Sequence, residues 1–250
     1  MILRLLTLNI HKGFSIFNRR FILPQLRDAV RSTSADIAFL QEIVGENIKK
    51  AEKYLEWPPV PQHEYIAEAF WPDHAYGKNA IYASGNHGNA ILSRFPILRS
   101  HKEDISSSPF VKRGFLYTRI QLPQQAEGRH IHCICVHLGH FSRLREQQLE
   151  KVSSYVRKKI PAADPIIIAG DFNEWKKSHK DILELELGMV DAGQLIHKKR
   201  LRTFPAPVPM FPLDRIYTRG LKVMSIKTLR TGIWRLLSDH VGLYAEAEIT

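Results

Sequence analysis

The amino-acid sequence predicts an α/β (α+β) protein in which β-sheets pack on each other and helices lie outside them. Short apolar runs with strand character recur along most of the 250 residues, whereas only a few intervening segments follow helical spacing. A purely parallel, doubly wound sheet would need a helix after nearly every strand, so sheets packed face to face fit the pattern better. Neither a linker nor an internal repeat divides the sequence. We therefore expect a single domain over residues 1–250.

The first half of the chain combines predicted strands with one helix and one irregular segment. Residues 2–9 are expected to form a buried strand, and apolar residues at helical spacing predict a helix over residues 22–32. Residues 36–41 form a second apolar run and therefore a second predicted strand. Residues 54–77 hold aromatics, prolines and turn formers, which predicts an irregular excursion. Residues 85–93 begin as a tight loop and lead into another strand.

The second half of the chain is richer in predicted strands. They cover residues 116–122, 131–138, 165–169, 213–218, 221–228 and 241–249. An amphipathic helix is expected over residues 149–160, because apolar residues such as Val152 and Val156 share one helical face. A shorter helix is expected over residues 182–187. The strands outnumber the helices, which supports packed sheets with a helical covering.

Net charge indicates which classes of partner the surface favours. The formal net charge is +11 and the isoelectric point is near 9.7. A basic surface attracts polyanions such as nucleic acid, anionic membrane or phosphorylated small molecules, and general basicity is the alternative. No apolar run approaches the length of a membrane span, and the N-terminus enters a strand without a basic leader. We expect a cytoplasmic protein with no transmembrane segment and no obligate protein partner.

Cys133 and Cys135 are the two cysteines and lie in one predicted strand. Side chains two apart in a strand point to the same face, and residues this close cannot form an ordinary disulfide. A Cys-x-Cys metal site is the alternative, but cysteine is among the residues most often buried. We therefore expect two core thiols.

Polar residues stand where four apolar runs end. They are Asn9 after the first strand, Glu42 after the second, Asp171 and Asn173 in Gly170-Asp-Phe-Asn173, and Asp239 and His240 in Ser238-Asp-His240. At such a position a strand leaves the core and its next side chain meets solvent. Carboxylates suit a hard divalent cation, amides orient a substrate, and histidine carries charge or protons. The set predicts metal-assisted attack of water on a phosphate ester.

Each of these residues also has a structural explanation. Glu42 is the best candidate for a metal ligand, yet an exposed strand-end acid or a helix cap would have the same sequence context. The motif around Asp171 is also typical of an Asx turn after a strand. Asp214 is the candidate that orients His240, and a surface ion pair with the arginine that follows it is the alternative. His137 ends a strand and is either a donor to the leaving group or structural.

In their order along the chain, these residues and the segments around them resemble the endonuclease/exonuclease/phosphatase superfamily. That superfamily includes DNase I-like nucleases, abasic-site endonucleases, neutral sphingomyelinases and inositol polyphosphate 5-phosphatases. The matching segments are residues 6–11, 36–42, 88–93, 136–138, 168–173, 213–216 and 238–240, which span nearly the whole chain. The resemblance implies a DNase I-like four-layer sandwich, with two mixed β-sheets packed face to face and helices on the outside.

The resemblance also implies a role for each matching residue. Asn9, Glu42 and Asp239 match metal ligands, Asp171 and Asn173 match the pair that handles the attacking water and the phosphate, Asp214 and His240 match an acid–histidine dyad, and His137 matches the histidine near the leaving oxygen. The implied cofactor is Mg²⁺, with Mn²⁺ as the alternative, and the implied reaction is direct in-line attack by water. Further substrate contacts are expected from His11, Asn89, Arg113 and Trp175.

The resemblance leaves the substrate open within the superfamily. His137 stands where abasic-site endonucleases have a tyrosine, His11 stands where they commonly carry an aspartate, and no lysine–arginine signature of the inositol phosphatases lies near Asn89. The basic segments 176–180 and 197–202 adjoin site motifs and predict contacts with a phosphate backbone. We therefore expect a nuclease acting on DNA or RNA. The alternatives are a phospholipid or sphingomyelin-type phosphodiesterase, a small-molecule phosphatase and a non-catalytic nucleic-acid-binding relative.

Overall fold

Two β-sheets packed face to face form the centre of the molecule. The computed structural model describes residues 1–68, 70–107, 112–123, 129–175 and 182–249, and within these residues each sheet has six strands. In spatial order the first sheet consists of β11 (Leu221–Leu229), β12 (Gly242–Ile249), β1 (Ile2–Asn9), β2 (Ile37–Asn47), β4 (Gly85–Ser93) and β3 (Asp73–Tyr82). The second consists of β5 (Ile97–Asp104), β6 (Gly114–Gln121), β7 (His130–His137), β8 (Ile166–Asp171), β10 (Asp214–Arg219) and β9 (Val190–Asp191).

Both sheets are mixed. β1 runs parallel to β2, and β7 runs parallel to β8, whereas the other described pairings are antiparallel. Parallel neighbours need a crossover connection, and α1 (Leu23–Ser32) and α4 (Ser142–Lys159) provide the two crossovers. The side chain of Asn9 at the end of β1 reaches that of Asp171 at the end of β8. The carboxyl ends of the parallel strands of both sheets therefore meet at one edge of the sandwich.

Helices cover the outer face of each sheet. The remaining helices are α2 (Ile48–Lys53), α3 (Gln62–Ala67), α5 (Ile182–Leu187) and α6 (Ala192–His197). α1 and α3 pack on the first sheet through an apolar cluster that includes Leu26, Ile66 and Leu40. α4 and α5 pack on the second sheet through a separate cluster, and a third cluster fills the space between the sheets. Helix, sheet, sheet and helix thus form four layers, which confirms the predicted fold.

Side-chain alternation in β7 determines which residues face the other sheet. Cys133 and Cys135 lie in the inter-sheet core, whereas Ile134 and Val136 face the helices outside. Both cysteines are buried free thiols, which confirms the expectation of core thiols. With a period of two, His137 at the end of the strand follows the two cysteines on the inter-sheet side.

Several elements differ from the sequence prediction. Residues 54–77 are not irregular throughout, because they contain α3 and the start of β3, and β5 was not predicted at all. β3 and β5 are edge strands with many exposed polar side chains, so they lack the apolar runs that mark central strands. α4 begins at Ser142 rather than at residue 149, because buried polar residues, Arg145 and Gln148, replace apolar ones in its first turns. Residues 124–128, between β6 and β7, lie outside the described residues.

Gly170 allows β7 and β8 to approach each other closely. Its φ is +144°, and a Cβ atom added there would lie 2.0 Å from the carbonyl oxygen of Val136. We expect Gly170→Ala to lower the free energy of unfolding by about 2–4 kcal/mol, because the backbones of two central strands must separate. Gly188→Ala is the matched control, since Gly188 also has a positive φ (+61°) but no atom within 4 Å of the added Cβ. Urea unfolding of both variants measures the difference, and equal losses would contradict the steric explanation.

Candidate active site

Asp171 lies at the centre of a buried polar cluster. Its Oδ2 atom accepts a hydrogen bond from the Asn9 amide (3.2 Å) and lies 3.7 Å from His137 Nε2 and 3.8 Å from His240 Nε2. The residue is 1% exposed. Three polar residues predicted from other strand ends, Asn9, His137 and His240, therefore surround one carboxylate oxygen of Asp171.

His240 is held by the carboxylate of Asp214. The distance between His240 Nδ1 and Asp214 Oδ2 is 2.7 Å, and Thr203 Oγ1 accepts a hydrogen bond from the backbone N–H of Asp214. The alternative of a surface ion pair between Asp214 and Arg215 is wrong. Arg215 is buried and its guanidinium group pairs with the carboxylate of Glu174.

Burial and neighbouring charges determine the protonation of Asp171 and His240. Burial raises the pKa of Asp171 to about 7, although the charge of His240 opposes the change. Burial alone would lower the pKa of His240, but the carboxylates of Asp214 and Asp171 outweigh it and raise the pKa to about 10. His240 is therefore an imidazolium at neutral pH. His137 is the reverse, because burial and the charge of Arg113 lower its pKa well below the usual value and leave a neutral ring.

Glu42 reaches the cluster because β2 is irregular next to it. The pairing of β2 with β4 shifts register between Leu40 and Ile43, and Glu42 itself has a φ of +57°. Its Oε2 accepts a hydrogen bond from Lys12 Nζ at 2.8 Å, and its Oε1 lies 3.4 Å from the Asn9 amide. Burial alone would raise the pKa of Glu42, but the positive groups around it, including Lys12, lower it below the usual range. Glu42 is therefore an ionised carboxylate.

Lys12 is a residue of the cluster that was not predicted from the sequence. The backbone turns sharply after β1, where His11 and Lys12 both have positive φ values (47° and 57°), and this turn brings the ammonium group back to Glu42. Residue spacing does not show such a turn. The sequence signal for this lysine was its position three residues after Asn9, because Asn9 is a predicted metal ligand.

Oxygen atoms suitable for a divalent cation lie on one side of the cluster. Glu42 is ionised and 17% of its side chain is exposed, and the side chain of Asp239 is 24% exposed with one carboxylate oxygen 3.9 Å from His11 Nδ1. Ser238 joins this side to β1 by donating its hydroxyl hydrogen to the carbonyl oxygen of Asn9. Two carboxylates and an amide are a donor set that fits Mg²⁺ or Mn²⁺. These residues therefore fit the predicted metal, and a bound ion would compete with Lys12 for Glu42.

Asn173 and Asn89 make contacts with the backbone. The N–H of Asn173 donates to Asp171 Oδ1 (2.8 Å) in an Asx turn, and its side-chain amide donates to the carbonyl oxygen of Leu138. Asn89 is 1% exposed, and its amide donates to the carbonyl oxygens of Gly114 and Cys135, so it connects the two sheets. Asn173 therefore borders the cluster, whereas Asn89 is occupied in the inter-sheet core.

Arg113 lies on the rim of the cluster, close to the carboxylates of Asp171 and Glu42. Its Nε donates to the carbonyl oxygen of Leu138 at 3.3 Å. Burial lowers the pKa of Arg113, and the negative charges of Asp171 and Glu42 act on it in the opposite direction. The guanidinium group remains charged and lies within electrostatic reach of both carboxylates.

Two aromatic side chains extend from the cluster towards a basic surface. The ring of Phe204 lies 5.0 Å from that of His240, and the ring of Trp175 lies 5.4 Å from Phe204. Trp175 is 39% exposed and lines a cavity of about 380 Å³ together with Lys198 and Lys199. We call Phe204, Trp175, Lys198 and Lys199 the aromatic–basic track. The other predicted basic segment, residues 176–180, lies outside the described residues.

Comparison with known proteins identifies the family. The chain belongs to the Endonuclease/Exonuclease/phosphatase family, whose profile matches residues 6–240. Its members are generally hydrolases that act on phosphoester bonds, and they typically use a divalent metal. This agrees with the resemblance drawn from the motifs.

Three known proteins are similar to this chain. The chain is 43% identical to the protein YbhP of Escherichia coli (strain K12) over 246 residues, which cover 98% of this chain and 96% of YbhP. It is 28% identical to phospholipase C of Staphylococcus aureus over 128 residues, which cover 45% of this chain and 38% of that enzyme. The solved structure of D. rerio TDP2 complexed with a single-strand DNA product covers 99% of both chains, with a TM-score of 0.68 and 18% identity.

The helices give no indication of a membrane span. None of the helices in the described part of the chain combines the length and the apolar character that crossing a bilayer requires.

Proposed function

We propose that this protein is a divalent-metal-dependent phosphodiester hydrolase, and that it is a nuclease acting on DNA or RNA. The observation that carries the proposal is the position of Asp171. Its carboxylate lies between the ionised Glu42 side of the cluster and the imidazolium of His240. A carboxylate that can align water therefore lies beside a fixed positive charge that can stabilise the negative charge of a phosphoryl group.

Each group in the cluster would perform one part of the reaction. Asp171 and Asn173 would hold the attacking water in line with the phosphorus atom. His240, fixed by Asp214, would stabilise the negative charge that develops on the phosphoryl oxygens. Arg113 would bind the same phosphate from the rim, and neutral His137 would hydrogen-bond the leaving oxygen. A divalent ion held by Glu42, Asp239 and Asn9 would supply further charge neutralisation.

Nucleic acid is the substrate class that the surroundings favour. Trp175 offers an exposed ring for base stacking, and the lysines of the aromatic–basic track can pair with backbone phosphates. The net charge of +11 favours a polyanion over an uncharged substrate. The D. rerio TDP2 structure holds single-stranded DNA on a similar fold, which is consistent with this substrate class.

A phospholipid phosphodiesterase is the second candidate. Phe17 and Phe141 are 72% and 71% exposed, and they lie on the segments that follow β1 and β7 at the active-site edge. Exposed aromatic side chains of this kind can enter a lipid headgroup layer. The partial similarity to a staphylococcal phospholipase C is consistent with this candidate.

A panel of substrates separates the two candidates. Purified protein is incubated with supercoiled plasmid, single-stranded RNA, an abasic-site duplex and phospholipid vesicles, with Mg²⁺ or with EDTA. We expect nicking or RNA cleavage that requires Mg²⁺ and stops in EDTA, because Glu42 and Asp239 would bind the ion. Turnover of vesicles with intact nucleic acid would instead establish the lipid enzyme. Hydrolysis that continues in EDTA would contradict the metal requirement.

The aromatic–basic track makes its own prediction. We expect the double variant Lys198→Gln/Lys199→Gln to raise KM for a single-stranded oligonucleotide and to make binding less sensitive to salt. The slope of log K against log salt concentration should become shallower by about 0.7 for each phosphate that a lysine no longer neutralises. Trp175→Ala should weaken binding by about 1–3 kcal/mol per stacked base. Lys158→Gln/Lys159→Gln at the end of α4 is the control with the same charge change. An equal effect of both double variants would show that only net charge matters.

A further inference from the structure

A second group of metal-binding side chains lies at the other end of β7. His130 and His132 begin this strand and share the face that contacts the outer helices, and Asp164 lies in the turn between α4 and β8. The parallel register pairs His132 with Ile166, which brings the turn beside the two histidines. At ~3.3 Å per strand residue, His132 is about 17 Å from His137 and the active-site edge.

The ligand atoms already have the spacing of a coordination shell. Asp164 Oδ2 lies 3.3 Å from His130 Nε2 and 3.1 Å from His132 Nε2, and all three atoms lie within 4.8 Å of one another. Zinc ligands about 2.0–2.1 Å from the metal in a tetrahedral shell are separated from each other by about 3.3 Å. We propose that His130, His132 and Asp164 form a second divalent metal site, selective for Zn²⁺ over Mg²⁺, that is independent of the proposed hydrolase site.

The surroundings of His132 fit a metal ligand. Its Nδ1 lies 2.8 Å from the hydroxyl oxygen of Tyr117, which itself packs edge-on against Tyr155 of α4. The tyrosine hydroxyl can accept a hydrogen bond from Nδ1–H, and this leaves the Nε2 lone pair for the metal. His132 is 4% exposed, so its ring is fixed by packing before any ion binds.

The donor set decides which ion is preferred. Two imidazole nitrogens and one carboxylate suit Zn²⁺, whereas Mg²⁺ prefers oxygen ligands. The side chains of His130 and Asp164 are 37% and 26% exposed, which gives the ion access from solvent and leaves the fourth position to water. A bound ion would join the turn after α4 to the first residues of β7. It would therefore stabilise the fold at the edge opposite the active site.

Two arginines oppose the binding of a cation. Arg119 pairs with His132 across the β6–β7 ladder, and its positive charge lies close enough to that histidine to disfavour a further positive charge there. Arg219 donates hydrogen bonds to the backbone carbonyl oxygens of Pro161 and Asp164. Removing the charge of Arg119 should tighten the site, which provides a variant with an expected gain as well as variants with an expected loss.

Zinc binding by the full chain tests the proposal. Bound Zn²⁺ is measured by equilibrium dialysis in millimolar Mg²⁺, in wild-type protein and in the Glu42→Gln variant, which removes a ligand of the proposed active-site metal. We expect both proteins to retain one equivalent of Zn²⁺. His130→Asn and Asp164→Asn should each weaken binding at least tenfold, and Arg119→Gln should tighten it. His74→Asn, which removes an exposed histidine on β3, is the control and should bind as wild type.

Thermal unfolding provides a second readout that does not depend on activity. At free Zn²⁺ about 100 times Kd, the unfolding midpoint of the wild type should rise by about 5–10 °C. This rise should fall by about half or more in His130→Asn and Asp164→Asn, which change partly exposed residues and should fold normally. Full zinc retention in both variants, or loss of the retained equivalent in Glu42→Gln, would overturn the proposal. In either case Asp164 would only hydrogen-bond the two imidazoles.

Discussion

Asp171→Asn is expected to lower kcat for phosphodiester hydrolysis by about 10²–10⁴-fold, the range that removal of a general base produces. Asparagine has the same shape and retains an oxygen that can accept the hydrogen bond from Asn173 N–H. It removes the negative charge that faces His137 and His240. The loss should therefore be in the chemical step, with little change in KM, because substrate is bound mainly by groups around the rim. Steady-state kinetics on the substrate identified by the panel measure both parameters.

The control for this variant is Asp28→Asn. Asp28 is exposed on α1 and pairs with the neighbouring Arg27, away from the polar cluster, so kcat should be unchanged. Circular dichroism and thermal unfolding of Asp171→Asn should show a folded protein. Retention of more than a small fraction of the wild-type kcat would mean that a contaminating enzyme, or another residue, performs the reaction.

The sequence predicted the central strands and the polar residues that follow them for one physical reason. Asn9, Asp171 and Asp214 each follow or begin an apolar run, and alternation in a strand places their side chains on the inter-sheet face. The ends of these strands then meet at one edge of the sandwich. The order of the residues along the chain was therefore sufficient to predict that these three side chains lie close together.

Other parts of the site depend on geometry that residue patterns do not contain. Lys12 reaches Glu42 through two residues with positive φ, and neither is a glycine that would have indicated the turn. The buried pairing of Arg215 with Glu174 joins residues 41 positions apart, and it excludes the surface ion pair with Asp214 that was the alternative interpretation. Long-range polar pairs of this kind depend on the three-dimensional arrangement of the strands. They become visible only when the sheets are assembled.

Asp214→Asn is expected to lower kcat by about 10²–10³-fold, comparable to the loss of one donor that stabilises charge in the transition state. Asp214 acts through His240, since its Oδ2 is 2.7 Å from Nδ1 of that ring and its charge raises the pKa of His240. Asparagine can still accept a hydrogen bond, but it no longer stabilises the imidazolium. The pKa of His240 should therefore fall, and a smaller fraction of the ring should be protonated at any pH above the new value.

The pH profile distinguishes this positioning role from a structural one. In the wild type, a His240 pKa of about 10 keeps the imidazolium throughout the neutral range, so its deprotonation limits activity only at alkaline pH. In Asp214→Asn the alkaline limb should move to lower pH, because the protonated form is lost earlier. Asp191→Asn is the matched control, since Asp191 is also buried but caps α6, a role that asparagine also fulfils. If Asp214→Asn lowered kcat equally at every pH, the carboxylate would only support the local fold, and the charge on His240 would not depend on it.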